Sequence, residues 1–295
     1  GEKSLQCKSE EEIFKALGLT YIPPELREDK GEIEAAEHGE LPELIEPSDI
    51  RGIFHVHTTY SDASMTLHEV VKAAQQSGFK YIGISDHSKS ASYAGGLTEE
   101  RLHEQHEEID RLNSELKGFY IFKGIESDIL PDGSLDYEET ILAKFDFVVA
   151  SVHSRFNMIE EEMTKRIIKA ISNPYTTILG HPTGRLLLSR EGYKVDLYKV
   201  IDAAAEKGVV IELNSHPYRF DLDWRYCKYA KERGVKVSIN PDAHHLDDLS
   251  NVSYGVGIAR KGWLTSRDVL NTMTPGEIKK KLGDRKRTAI LSIPT

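Results

Sequence analysis

From residue 50 onward the chain alternates short apolar runs with longer amphipathic stretches. The apolar runs are Ile50–His57, Tyr81–His87, Tyr120–Glu126, Phe145–His153, Thr177–His181, Val209–Asn214 and Lys236–Asn240. Each has the length and the β-branched or aromatic content of a strand. Helical patterns lie between most of them. In residues 66–77, Leu67, Val70, Val71 and Ala74 share one face, Thr66 and Glu69 form a capping box, and Gly78 is the stop. Residues 98–117 predict a long charged helix ended by Gly118. Residues 160–172 end before Asn173-Pro174, 196–207 at Gly208 and 223–233 at Gly234. Strand and helix repeating with glycine stops predict parallel βα units. Seven strands in one unbroken series favour a single barrel-like α/β domain over a doubly wound sheet. The dinucleotide fingerprint of the latter is missing, since Gly255-Val256-Gly257 has Arg260 where the third glycine belongs, and there is no P-loop.

The first fifty residues read differently. Ser9 to Gly18 has a short helical pattern, with Ser9 and Glu12 as a capping box. Pro23-Pro24 and the run Glu40–Pro47 follow. The segment carries 14 acidic and 5 basic side chains, and the remaining 245 residues carry 34 and 33. The formal net charge of −10 therefore belongs almost wholly to residues 1–50. We read residues 1–49 as an acidic arm or linker and residues 50–295 as the folded domain.

Composition narrows the class. With 39% apolar and 29% charged residues, 295 residues are enough for a large buried core and too apolar for a disordered chain. No apolar run approaches the roughly 20 residues of a membrane helix, and the start lacks the apolar core of a signal peptide. Cys7 and Cys227 cannot build a disulfide framework, which fits a cytoplasmic, reducing compartment.

Candidate chemistry sits at the strand ends. The first run ends in His55-Val56-His57, with Asp62 in the next loop. The second ends in Asp86-His87, the third in Glu126, the fourth in His153 and the fifth in His181, while Asp242 and His244 follow the seventh. In a parallel barrel these positions converge on one mouth. Alternation along a strand points His55 and His57 to the same side. A core cannot hide so many ionisable groups without partners, and imidazole with carboxylate is the usual ligand set for Zn, Mn and Fe. The other histidines read more plainly. His38 lies in the arm, and His68, His103 and His106 are expected to be solvated on charged helices. His216 and His245 lie near the mouth without a clear place in the pattern. Cys227 is expected to pack in a core.

These motifs together, His55-Val-His57-Thr-Thr-Tyr-Ser-Asp62, Ser85-Asp-His87-Ser88, Gly124-Ile-Glu126, Ser151-Val-His153, Gly180-His181-Pro182 and Asp242-Ala-His244, resemble the polymerase-and-histidinol-phosphatase (PHP) metallophosphoesterases over residues 51 to about 273. The resemblance implies a distorted (β/α)7 barrel with two or three divalent metal ions. It implies nine ligands: His55, His57, Asp62, His87, Glu126, His153, His181, Asp242 and His244. Within the superfamily, Ala94-Gly-Gly-Leu97, His181-Pro-Thr-Gly-Arg-Leu-Leu187, Ile211-Glu-Leu-Asn214 and Pro217-Tyr-Arg-Phe-Asp-Leu222 are most similar to the C-terminal domain of bacterial and archaeal family X DNA polymerases. Glu11–Ala36 resembles the end of such a polymerase's nucleotidyltransferase part and its linker. That implies a polymerase domain in a longer parent chain and a DNA 3′ end as substrate. One departure is Asp62-Ala63-Ser64, where the family usually has glycine after the aspartate.

Residue chemistry and resemblance agree on phosphoester hydrolysis by clustered metals, with Zn, Mn or Fe equally compatible. The leading expectation is a 3′–5′ exonuclease on DNA. A histidinol-phosphatase-type monoesterase and a metal-stabilised binding module are the alternatives. An amidohydrolase is disfavoured because His153 stands where that class often places a lysine. Arg155, Arg185, Arg190 and Arg219 follow strands four to six and are candidate phosphate holders. Lys89, Tyr93 and Asn214 are further substrate candidates, Tyr93 as a base-stacking ring. Lys123 differs in parity from Glu126 and is expected to face the helices. Three divalent ions would bring the barrel to about +5, so the overall acidity does not exclude a phosphate-bearing substrate.

Overall fold

In the computed structural model, which describes residues 6–291, seven parallel strands stand side by side in chain order. They are β1 (Gly52–Val56), β2 (Tyr81–Ile84), β3 (Tyr120–Asp128), β4 (Phe147–Ser151), β5 (Ile178–Leu179), β6 (Val210–Asn214) and β7 (Val237–Asn240). Helices α1 (Glu10–Ala16) and α2 (Glu32–His38) belong to the arm. One helix then follows each strand in turn: α3 (Leu67–Gln76), α4 (Glu99–Glu115), α5 (Glu139–Leu142), α6 (Glu160–Ser172), α7 (Leu197–Lys207), α8 (Trp224–Glu232) and α9 (Val252–Lys261), before a closing α10 (Pro275–Leu291). The α3 capping box forms as expected. At α1 it forms by half: Ser9 accepts from the Glu12 N–H, but the Glu12 carboxylate takes the N–H of Lys8. Gly255 lies inside α9, where a Cβ would come within 2.5 Å of Ile239, so it serves close helix–sheet packing.

The architecture is a nearly closed (β/α)7 barrel. Adjacent strands from β1 to β7 form ladders, but β7 and β1 are joined mainly through side chains. Asn271 donates from Nδ2 to the carbonyls of Gly52 (3.0 Å) and Ile239 (2.8 Å), and its Oδ1 accepts from the Ile239 N–H at 2.7 Å. Nearer the mouth, the His57 N–H donates to Ala243 at 3.0 Å. Phe54, Phe122 and Phe147 fill the interior toward the N-terminal ends of the strands, with Ile278 and Leu282 of α10 beneath them. Gly83 and Gly124 make room for this layer, since a Cβ on either would come within 2.4 Å of Phe54 or Phe147. The polar cluster above therefore rests on a dry aromatic floor.

The arm packs on the outside of the barrel. Ile22, Leu26, Ala36 and Leu44 bury themselves around Trp263, just past α9. Arg260 reaches Glu25 at 2.7 Å and Glu46 at 2.5 Å, Lys261 pairs with Glu28, and Lys228 sits 4.0 Å over the Trp263 ring. Part of the arm's acidity thus matches the basic edge of α8 and α9. Among the described residues no helix is long and apolar enough to cross a membrane.

Candidate active site

The nine expected ligands meet at the C-terminal mouth of the barrel. Glu126 lies at the centre. Its Oε1 is 3.2 Å from His55 Nε2, 3.3 Å from His153 Nε2 and 3.0 Å from His181 Nε2. Its Oε2 is 3.0 Å from His87 Nδ1 and 3.6 Å from His57 Nε2. Asp242 Oδ1 is 3.4 Å from His55 Nε2 and 3.3 Å from His57 Nε2. Asp62, on the outer side, is 3.7 Å from His87 Nε2 and 3.3 Å from His244 Nε2. Donor atoms within 4.8 Å of one another fall into four overlapping groups: His57/Asp62/His87/His244, His55/His181/Asp242, His55/His57/Glu126 and His87/Glu126/His153.

This donor set fits divalent ions. Among the described residues, His55 Nε2, His87 Nδ1 and both nitrogens of His57 are buried with no hydrogen-bond partner. Such groups are costly unless something else satisfies them. Imidazole and carboxylate without thiolate suit Zn, Mn and Fe.

The backbone is bent to present them. His55 and Asp242 adopt left-handed conformations, φ 56° and 51°, which are uncommon for non-glycine residues. The β1–β2 register slips between Ile53 and Val56. Regular alternation therefore does not describe His55-Val56-His57. A kinked strand end brings the two rings to 5.3 Å between centroids. Ala63 needs no positive φ, so the missing glycine after Asp62 costs nothing in the turn.

Electrostatics at the mouth couple the imidazoles to the carboxylates. Burial, helped by His244 and His87, pushes His57 down to about 3, so it is neutral at neutral pH. Burial opposes charging of His153 and His244 too, but Glu126 and Asp128 lift the first to about 10, and Asp62 and Asp242 lift the second to about 9. Glu126 and Asp242 lie well below the usual carboxylate range, because the surrounding imidazoles outweigh their burial. Without cations the cluster retains protons, and cation uptake displaces them.

An outer layer holds these side chains in place, and sequence reasoning missed most of it. Glu212 is fully buried and accepts from His55 Nδ1 at 2.6 Å, from the His181 N–H at 2.7 Å and from Asn240 Nδ2 at 2.8 Å. Its signal was a carboxylate between Ile211 and Leu213 of an apolar strand. Asp128 accepts from His153 Nδ1 at 2.7 Å. Asp86 faces away from the ligands and ties down the loop that carries Asp62, accepting from the Thr58 N–H at 2.7 Å and from the Ser61 hydroxyl.

The substrate candidates separate. Arg219 lies beside the ligands, with Nε 3.1 Å from Asp242 Oδ2, and its terminal nitrogens have no hydrogen bond among the described residues. Asn214 donates to the same oxygen at 3.0 Å and so orients Asp242 from within the wall. Tyr93 is exposed, its ring 6.3 Å from that of His87. Arg185 is not free for a phosphate, because its guanidinium is spent on the carbonyls of Arg219 and Phe220 and on Asp223. Arg190 stacks over Phe156 at 4.4 Å and donates to the Gly184 carbonyl. Lys89 and Arg155 are exposed, Lys89 with its ammonium 5.3 Å from the Tyr137 ring. Lys123 faces the helices and pairs with Asp110 of α4 at 2.6 Å. His106 corrects an expectation: it is buried edge-on against Phe145 instead of solvated, and burial pushes it down to about 4. His245 Nδ1 shares a hydrogen bond of 2.7 Å with the Ser64 hydroxyl, and Cys227 is buried within α8.

Comparison with known proteins fits this geometry. Residues 54–216 match the PHP domain family. The chain belongs to the PHP family. It is accordingly a metal-dependent phosphoesterase. Residues 1–28 match the DNA polymerase beta thumb. The chain is 42% identical over 271 residues to the DNA polymerase/3′-5′ exonuclease PolX of Bacillus subtilis, covering 92% of this PHP chain and 47% of that protein, so it spans about half of that relative's length. It is 33% identical over 244 residues to a probable phosphatase of Thermoanaerobacter sp. (strain X514), covering 79% and 94%. The fold is shared with histidinol phosphate phosphatase from Lactococcus lactis, solved with zinc, L-histidinol and phosphate, at a TM-score of 0.55 and 18% identity over 72% of this chain and 93% of that one.

Proposed function

We propose that this chain is the 3′–5′ exonuclease part of a family X DNA polymerase, with residues 50–295 as the hydrolase and residues 1–49 as the end of the polymerase part. The observation that carries the reading is the thumb-like segment at residues 1–28, ahead of a phosphoesterase barrel in the same chain. Its 42% identity to a polymerase/exonuclease supports it. The nine residues from His55 to His244 named above would hold two or three ions, Zn, Mn or Fe. Such ions, when bound, make water a nucleophile at neutral pH and neutralise charge on phosphoryl oxygens. Asp242 stays ionised for this task, with Asn214 and Arg219 holding its second oxygen. The terminal nitrogens of Arg219 offer hydrogen bonds to a phosphodiester oxygen that strengthen as charge develops. Tyr93 offers a face for a base. The polymerase half of a parent chain would supply most of the grip on DNA, in the cytoplasm. The test is Mn-dependent shortening of single-stranded DNA from its 3′ end, abolished in His87→Ala and Asp242→Ala. A small-monoester phosphatase is the second reading, favoured by the 94% coverage of a probable phosphatase. Intact DNA beside rapid turnover of a phosphomonoester would establish it in place of the first.

A further inference from the structure

A cavity of about 540 Å³ opens beside the ligand cluster, and its lining combines Arg219, Asp242 and His244 with Leu187, Leu188 and Tyr218. The apolar part of that lining is unusual. Leu188 is fully exposed and sits at φ 65°. A branched apolar side chain loses on both counts, through contact with water and through backbone strain. The turn that carries it is nonetheless well secured. Leu186 and Arg190 exchange backbone hydrogen bonds at 2.8 and 2.7 Å, and the Leu187 N–H donates to the Tyr218 carbonyl at 2.6 Å. That last bond ties the turn to the loop bearing Arg219. The Tyr218 ring is exposed too and lies 5.6 Å from His216.

The cavity thus offers the terminal nitrogens of Arg219 beside the ligand cluster together with exposed apolar and aromatic surface from Leu188 and Tyr218. A molecule meeting both is anionic at one end and flat and apolar at the other. A nucleotide has that shape and polarity, whereas a lone phosphate leaves the apolar surface wet. We infer that Leu188 and Tyr218 form a base-holding rim that receives the unpaired 3′-terminal nucleobase of single-stranded DNA while Arg219 takes its phosphate. The inference rests on the exonuclease reading and adds to it the residues that select a single-stranded end. Duplex ends are disfavoured, because the rim takes one base face and a paired terminal base would have to unstack first.

The test uses Leu188→Gly, Tyr218→Ala and the double variant. Leu188→Gly suits the positive φ, so the turn is expected to survive. KM and kcat are measured with Mn on a single-stranded oligonucleotide and on the same oligonucleotide with an abasic 3′ residue. The unaltered chain should favour the base-bearing end about tenfold in KM. The double variant should lose that preference, its KM for the normal end rising about tenfold with kcat within twofold. Equal KM values for both ends in the unaltered chain, or variants that keep the preference, would overturn the rim. Fluorescence anisotropy with a phosphorothioate-ended oligonucleotide separates the two readings. Base-dependent binding lost in the variants without any cleavage would sink the exonuclease reading and leave the rim standing. Cleavage without base dependence would do the reverse.

Discussion

Glu212→Gln isolates the outer layer of the site with almost no change in shape. The carboxylate acts only as an acceptor. One oxygen takes His55 Nδ1 and Asn240 Nδ2, and the other takes the His181 N–H and, at 3.3 Å, Asn214 Nδ2. A carboxamide has one acceptor oxygen and one NH2. If its oxygen faces His55, the NH2 confronts the His181 N–H, a backbone donor that cannot change. The buried mismatch then costs about 1–3 kcal/mol. If its oxygen faces His181, the NH2 points at His55 Nδ1, which must shed its proton and carry it on Nε2. That is the nitrogen aimed at Glu126 and Asp242, so a ligand lone pair is lost. Losing such an outer partner weakens metal binding about 10–100-fold, or about 1.4–2.8 kcal/mol. The assay is competition with a chromogenic chelator for Mn or Zn, alongside thermal unfolding of the metal-free protein. We expect the apparent Kd to rise by that factor and Tm to fall by a few degrees. Unchanged metal affinity in a folded Glu212→Gln protein would refute the view that this carboxylate sets the His55 tautomer.

Three further predictions concern the barrel, a buried histidine and the arm. Asn271→Ala leaves the Gly52 carbonyl and both backbone groups of Ile239 unpaired at the β7–β1 seam, so urea unfolding should show a loss of about 3 kcal/mol or more, and a loss under 1 kcal/mol would mean the seam closes without it. His106 is neutral in the fold at about 4 but titrates near 6.5 when unfolded, so its effect on stability is absent above that pH and costs up to roughly 3 kcal/mol as pH falls from 6.5 to 4. His106→Phe should flatten the stability profile across that window, and parallel profiles for the two proteins would exclude the assignment. Arg260→Ala removes the contacts to Glu25, Glu46 and the Ile45 carbonyl, so limited proteolysis should cut within residues 20–46 several-fold faster, with barrel unfolding little changed.

The order of strands and helices was legible because hydrophobic periodicity and glycine stops are local properties. So was the convergence of the His, Asp and Glu side chains expected as ligands, because a parallel barrel gathers every strand end at one mouth. Lys123 followed its parity to the helix side for the same reason. What the sequence hid depends on contacts between distant segments. His106 lies among charged residues on its helix, yet the packing of α4 against Phe145 takes it out of water. Arg185 and Arg219 look equivalent in a list of loop arginines. Only the folded loops show that Arg185 spends its donors on the segment that presents Arg219. Asn271 closes a barrel from residues 32 and 219 positions away. His and Asp tolerate left-handed turns better than most residues, but nothing local shows that His55 and Asp242 adopt them here. Sequence by itself determined which side chains stand at the mouth, since that follows from periodicity and topology. Tertiary structure decided which of them have atoms to spare, because a hydrogen bond or ion pair is satisfied only by whatever the rest of the chain brings within about 3 Å.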